Sequence, residues 1–130
     1  SGITTHDTRH TTMHNYKELI VWQKARTLVK EIYLLTQTFP EVEKFGLTSQ
    51  LRRAAVSISS NIAEGAGRSS ATDFMRFLDI ANGSSFEVET QIFLCYDLGY
   101  INEDTLNRIL PMVQDVQKLV FNFKKHLIQK

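Results

Sequence analysis

The side chains with chemistry to offer are few and mostly badly placed for it. His6, His10 and His14 recur every fourth residue, the spacing that would put three imidazoles on one helical face as metal ligands. Arg9 and His14 match a loose Arg-x4-His pattern of helical ribonucleases, in which the pair would act on an RNA hydroxyl. Both patterns fall in Ser1–Thr12 or at its edge, a stretch of Thr, His, Ser and Gly with no hydrophobic period. A segment of that kind cannot hold reacting groups rigidly, so neither a metal site nor a nuclease site is expected. Cys95 falls on an apolar stripe, where an inert buried thiol is the expectation rather than a nucleophile. Gly65-Ala66-Gly67 looks like half a phosphate loop, but no strand precedes it and no Lys-Ser/Thr follows, so it reads as a helix end. No Glu-x-x-His pair supports a di-iron centre. The expectation is a protein with no catalytic residues, no metal and no cofactor.

A polar stripe carries more information. Gln50, Arg53, Ser57, Asn61 and Glu64 step by 3, 4, 4 and 3 and share one helical face, with Arg52 beside it and Arg68 just beyond. A merely solvated face favours Lys and Glu. Ser, Asn, Gln and Arg give up helix propensity for hydrogen-bonding capacity, and with Arg they form a donor set suited to phosphate or a polar protein surface. A second stripe runs Arg76, Ile80, Gly83, Glu87, Thr90 and Leu94. Glycine inside a helix costs about 1 kcal/mol relative to alanine, so Gly83 implies close approach of another backbone. Glu87 and Thr90 between apolar neighbours suggest a partly buried polar contact, with self-association through this face as the expectation.

Four helices must position these stripes. Order is expected from Tyr16. Val21, Ala25, Leu28, Ile32, Leu35 and Phe39 mark the first helix, which Phe39-Pro40 stops. Thr48 is the expected N-cap of the second, whose apolar face is Leu51, Ala55, Ile58 and Ile62. Ser70-Ala71-Thr72-Asp73 has the form of a capping box for the third. Its period Phe74, Leu78, Ala81, Ser85, Val88, Ile92 and Cys95 runs without error to a stop near Gly99. Asn102 caps the fourth, which carries Leu106, Leu110, Val113, Val116, Val120, Phe123 and Leu127. Because this period continues through Pro111, a kinked helix is preferred to one that begins late. The sum is an all-α, antiparallel up-and-down four-helix bundle over residues 16–130. Residues 1–15 are expected to be a disordered tail, with Ser1-Gly2 left from cloning and Met13 a candidate native start.

Composition narrows the partners. Fifteen Lys and Arg against 14 Asp and Glu leave a net charge of +1, which excludes gripping nucleic acid by bulk charge. The average conceals segregation. Asp79 to Asn107 holds six acids and no Lys or Arg, whereas Lys118, Lys124, Lys125 and Lys130 follow Asp115 with no acid. A localised basic patch therefore stays open. One cysteine, no apolar run long enough for a bilayer and no export signal make a cytoplasmic protein the expectation.

Several runs also resemble a known family. Val21-Trp22-Gln23-Lys24-Ala25, Gly46 to Ser57, Asn61-Ile62-Ala63-Glu64-Gly65, Arg76-Phe77-Leu78, Gly83-Ser84 with Glu87 and Thr90, and Leu98-Gly99-Tyr100-Ile101 closely resemble bacterial four-helix-bundle proteins encoded in intervening sequences of 23S rRNA genes. The likeness extends, more distantly, to the accessory variability protein of diversity-generating retroelements. The resemblance implies a barrel-shaped homopentamer without enzymatic activity. Its surface would be basic and suited to RNA or DNA or to a nucleoprotein partner such as a reverse transcriptase. Carried over residue by residue, Arg52, Arg53 and Arg68 match its basic positions. Gln50, Ser57, Asn61, Glu64, Gly83, Glu87 and Thr90 match its polar and small ones. In this reading Gln50, Arg52, Arg53, Ser57, Asn61, Arg68, Lys124 and Lys125 contact nucleic acid or a partner. Glu64, Arg76, Gly83, Glu87 and Thr90 serve the subunit interface or the fold. The alternative is a structural or protein-interaction scaffold with no direct nucleic-acid contact.

Overall fold

A computed structural model describes residues 14–129. They form α1 (Ile20–Thr36), α2 (Leu47–Ala66), α3 (Ala71–Asp97) and α4 (Glu103–Ile128), with single 3-10 turns at Tyr16–Glu18 and Glu41–Glu43. Among the described residues there is no strand. Neighbouring helices run in opposite directions, as their contacts show. Gln50 meets Gln91 and Ser57 meets Ser84 between α2 and α3. Asp79 meets Lys124 and Glu89 meets Gln117 between α3 and α4. Between α1 and α4, Glu31 meets Arg108, while Leu19 and Ile20 at the start of α1 lie beside Phe123 and His126 near the end of α4.

The third helix follows its sequence pattern most closely. Every residue of the expected stripe, from Phe74 to Cys95, is fully buried. Ser70 Oγ accepts from the Asp73 amide at 3.1 Å, so the expected cap forms. At the other end Gly99 takes φ +79, a left-handed conformation that costs glycine little. The Tyr100 amide then reaches the Cys95 carbonyl at 2.9 Å and the Gly99 amide the Tyr96 carbonyl at 3.0 Å, closing the helix in a Schellman arrangement.

The first helix buries Val21, Ala25, Leu28 and Ile32 as spaced, but it ends at Thr36. Phe39 therefore lies outside it, half-buried against the core and 5.3 Å from the Tyr100 ring. The proline's influence is felt early because Phe39 must be extended, and the chain tightens through the Phe39 amide to Thr36 carbonyl bond at 3.2 Å.

The second helix corrects one expectation. Its N-cap is Gly46, and Thr48 lies inside the first turn with its hydroxyl buried and unpartnered among the described residues. The free amide of Leu47 is instead capped by the Glu43 carboxylate at 2.9 Å, an acid from the preceding 3-10 turn. A carboxylate supplies the same acceptor as a threonine hydroxyl and adds negative charge at the positive end of the helix.

The fourth helix starts on the expected cap, Asn102 Oδ1 accepting from the Thr105 amide at 2.9 Å. It is continuous from Glu103 through Pro111, so the late-start alternative falls away. The amide missing at Pro111 would have bonded the Asn107 carbonyl, and both residues face solvent, where water can serve that carbonyl. Leu28, Ile32, Leu51, Ile58, Ile62, Leu78, Ile92 and Ile109 fill the centre, each fully buried. Burial of such a side chain contributes about 1.5–3 kcal/mol over leaving it exposed. No helix among the described residues is long and apolar enough to cross a membrane.

Candidate functional site

The two polar stripes of the sequence border one another across the α2–α3 contact. Small residues let these helices approach. A Cβ added at Gly65 would stand 2.8 Å from Phe74 Cδ1 and 2.8 Å from Phe77 Cβ, inside van der Waals contact. Eight residues back along α2, Ser57 Oγ lies 2.8 Å from Ser84 Oγ. Asn61 Nδ2 donates to the Ser57 carbonyl at 2.8 Å and to Ser57 Oγ at 3.0 Å. Seven residues further back, Gln91 Nε2 reaches Gln50 Oε1 at 3.5 Å and Glu87 Oε2 at 3.3 Å. The step of seven from Ser57 to Gln50 on α2 thus meets the step of seven from Ser84 to Gln91 on α3. Ser57, Asn61 and Gln50 are already engaged inside the protein, in a polar seam beside the core.

The arginines separate. Arg52 turns away from the seam toward α1, where its Nε donates to Thr36 Oγ1 at 2.8 Å and its guanidinium lies 4.5 Å from the Tyr33 ring centroid. Thr36 is itself buried and donates to the Ile32 carbonyl at 2.8 Å, so its hydroxyl is satisfied on both sides. Arg53, one residue on, is exposed and makes no hydrogen bond or ion pair with any described residue. Arg68 and Arg76 both lie over the Phe77 ring, at 4.6 and 4.7 Å, and Arg76 also approaches Asp73 at 4.0 Å. Of the two lysines, Lys124 is paired with Asp79, while Lys125 is exposed with its ammonium 5.6 Å from the Phe121 ring.

Outside the seam, α3 presents an open surface. A Cβ at Gly83 would meet nothing within 4 Å, so no backbone among the described residues explains that glycine. Ile80 (43% exposed) and Leu94 (44%) lie on the same face, which includes exposed Glu87 and Thr90. The Thr90 hydroxyl is spent on the Phe86 carbonyl at 2.9 Å. Gln91 is 6% exposed and its Oε1 has no partner among the described residues, leaving an acceptor unused at the edge of this face.

The sequence reading missed several positions. Gly65 reads in the sequence as part of a helix end and of a family run, whereas the structure presses it against the Phe74 and Phe77 side chains. Glu43 holds two parts of the bundle together, accepting from the Leu47 amide and from Tyr100 Oη at 2.8 Å. The backbone bond from Leu47, with help from the Tyr100 hydroxyl, keeps its carboxyl below the usual range. The same hydrogen bond, then burial, raises the Tyr100 phenol. Nothing local in the sequence signals that pair, since its members are far apart in the chain.

Burial pushes the Cys95 thiol up to about 12, which removes the thiolate that nucleophilic chemistry needs. Among the described residues no three His, Cys, Asp or Glu are grouped to hold a metal. His6, His10 and Arg9 lie outside the described residues. His14 packs its ring 5.4 Å from Phe74 and 5.7 Å from Phe123, and its amide bonds the Ala66 carbonyl at 2.8 Å.

Comparison with other proteins agrees with this architecture. A solved structure described as a protein with unknown function from the S23 ribosomal protein family of Bacteroides thetaiotaomicron superposes with a TM-score of 0.74 at 26% identity, over 82% of this chain and 99% of that one. No curated protein matches the sequence. The model of the 23S rRNA-intervening sequence protein family matches residues 17–122, nearly the whole bundle. The chain therefore belongs to the 23S rRNA-intervening sequence protein family.

Proposed function

We propose that this protein is a non-catalytic, oligomeric helical bundle that binds RNA in the cytoplasm. The α2–α3 face joins subunits and exposed cations contact phosphates. The observation that carries the assembly is the open surface over Gly83, flanked by half-exposed Ile80 and Leu94. A partner backbone there would account for the glycine and cover the aliphatic side chains. The resemblance to homopentameric bundles makes five copies the expected number. Repetition around a ring also answers the objection from charge, because each exposed Arg53 and Lys125 recurs in every subunit. The names of the family and of its solved neighbour, which refer to 23S rRNA genes and a ribosomal protein, support RNA as the ligand.

A second reading rests on the seam. Because Ser57 is bonded to Ser84, Gln50 accepts from Gln91 and Asn61 donates to Ser57 within α2, the hydrogen-bonding set available to RNA is smaller than the stripe promised. A scaffold that binds a protein, such as a reverse transcriptase of the kind served by retroelement accessory proteins, needs only the assembled ring. A light-scattering mass combined with a titration of 23S-type RNA at rising salt separates the two. A multimer whose log affinity falls steeply with log salt supports RNA binding. A multimer with no RNA binding even at low salt supports the scaffold. A monomer at all concentrations overturns both.

A further inference from the structure

The two ends of the bundle are unlike in charge. Counting the connections and the six helical residues nearest them, the end made by the α1–α2 and α3–α4 connections holds Glu31, Glu41, Glu43, Asp97, Glu103 and Asp104 against Lys44, Arg52 and Arg108. To the same depth, the opposite end holds Lys17, Lys24, Arg68, Arg76, Lys124 and Lys125, which outnumber Glu18, Glu64 and Asp73. Each end also carries an apolar feature that the described residues leave uncovered. At the acidic end Val42 is 85% and Phe45 88% exposed, an aromatic ring standing almost wholly in water. At the basic end a groove of about 280 Å³ opens between the start of α1 and the last turns of α4, lined mainly by Leu19, Ile20, Leu119, Phe123 and His126. An apolar cavity of about 150 Å³ already accepts a benzene ring, so this groove has room for a phenylalanine side chain.

We propose that a second copy of this chain docks end to end, seating its Phe45 in the α1–α4 groove of the first. The acidic connections of one copy then face the lysines at the basic end of the other. Both halves of the contact are on the same molecule and match in charge and in size, which selects a second copy over an unrelated partner. The contact is heterologous: the knob of one copy meets the hole of the next, so it leaves an unused knob and an unused hole and extends the assembly along the bundle axis. It does not depend on lateral association through the α2–α3 face, which lies on the flank of the bundle. Part of its strength comes from charges at the surface, so salt weakens it.

The test is a mixing experiment in a Gly83→Arg background, which blocks lateral contact at a position where an added Cβ meets nothing among the described residues. Phe45→Asp spoils the knob and Ile20→Asp spoils the groove. Both positions are more than half exposed, and unchanged helical content and thermal midpoint would show that each variant folds. At low salt the Gly83→Arg protein is expected to gain sedimenting mass with concentration, at least to double the monomer, and to lose that gain at high salt. Each added substitution alone abolishes the gain. An equimolar mixture of the two restores a one-to-one pair, because each retains the half that the other lacks. A Gly83→Arg protein that stays monomeric at low salt overturns the proposal. So do single variants that still associate, or a mixture that fails to pair.

Discussion

Arg52 and Arg53 leave the same turn of α2 about 100° apart and meet different surroundings. Arg52 is fixed between Thr36 and the Tyr33 ring, where it ties α2 to α1. Arg53 has no partner among the described residues. The same contrast separates two glycines. Gly65 is pressed against Phe74 and Phe77, whereas Gly83 has open space above it. In both pairs one residue is used up by the fold and its counterpart is left over. Residue type alone does not distinguish them, and the surplus residues are the ones available to a partner.

The largest effect that would test this contrast is at Gly65. A methyl group there must displace two phenylalanine side chains from a packed interior, so Gly65→Ala should lose about 1–3 kcal/mol of stability in urea unfolding. Arg52→Ala comes next. It removes a charged hydrogen bond and a ring contact at a half-exposed site and should cost about 1–2 kcal/mol, with the loss read as a lower denaturant midpoint. Gly83→Ala has the opposite sign. On a monomer it should stabilise by about 0.5–1 kcal/mol through helix propensity, while the added methyl weakens assembly in light scattering. Equal losses at Gly65 and Gly83 would erase the distinction between seam and outer face.

A smaller effect follows from Glu43. Its folded-state carboxyl lies below the ordinary value of 4.5, so the folded protein holds the proton less tightly than the unfolded chain does. The resulting stabilisation is fully present above the ordinary carboxylate range and is lost as pH falls through the lowered folded value. Tyr100 acts in the other direction. Its raised phenol contributes stability below its ordinary value of 10, which is lost as pH rises through the higher folded value. Glu43→Gln should therefore flatten the acid side of a stability-against-pH curve, as followed by thermal midpoint. An unchanged acid limb would mean that Glu43 does not tie the two connections together.

Much of this was legible in the sequence where the interactions are local. The α3 stripe, the Ser70 and Asn102 caps and the Gly99 stop each depend on residues within a few positions of one another, and each is found as read. The polar stripe of α2 was also real as a face, but its use was not legible. Whether Ser57 points at water or at Ser84 depends on the register of two helices 27 residues apart in the chain. The Thr48 cap failed for a related reason, since a carboxylate from the preceding turn reached the amide first. The pairing of Lys124 with Asp79 likewise required the fold before it could be known.

The most direct measurement compares the two neighbouring arginines by their salt dependence. In a titration of 23S-type RNA, Arg53→Ala should lower the slope of log affinity against log salt by about one for each subunit contacting the strand. Its effect on stability should stay within about 0.5 kcal/mol. Arg52→Ala should leave that slope unchanged under conditions in which the protein remains folded. A reduced slope for Arg52→Ala together with an unchanged slope for Arg53→Ala would contradict the assignment of one arginine to the fold and the other to the partner.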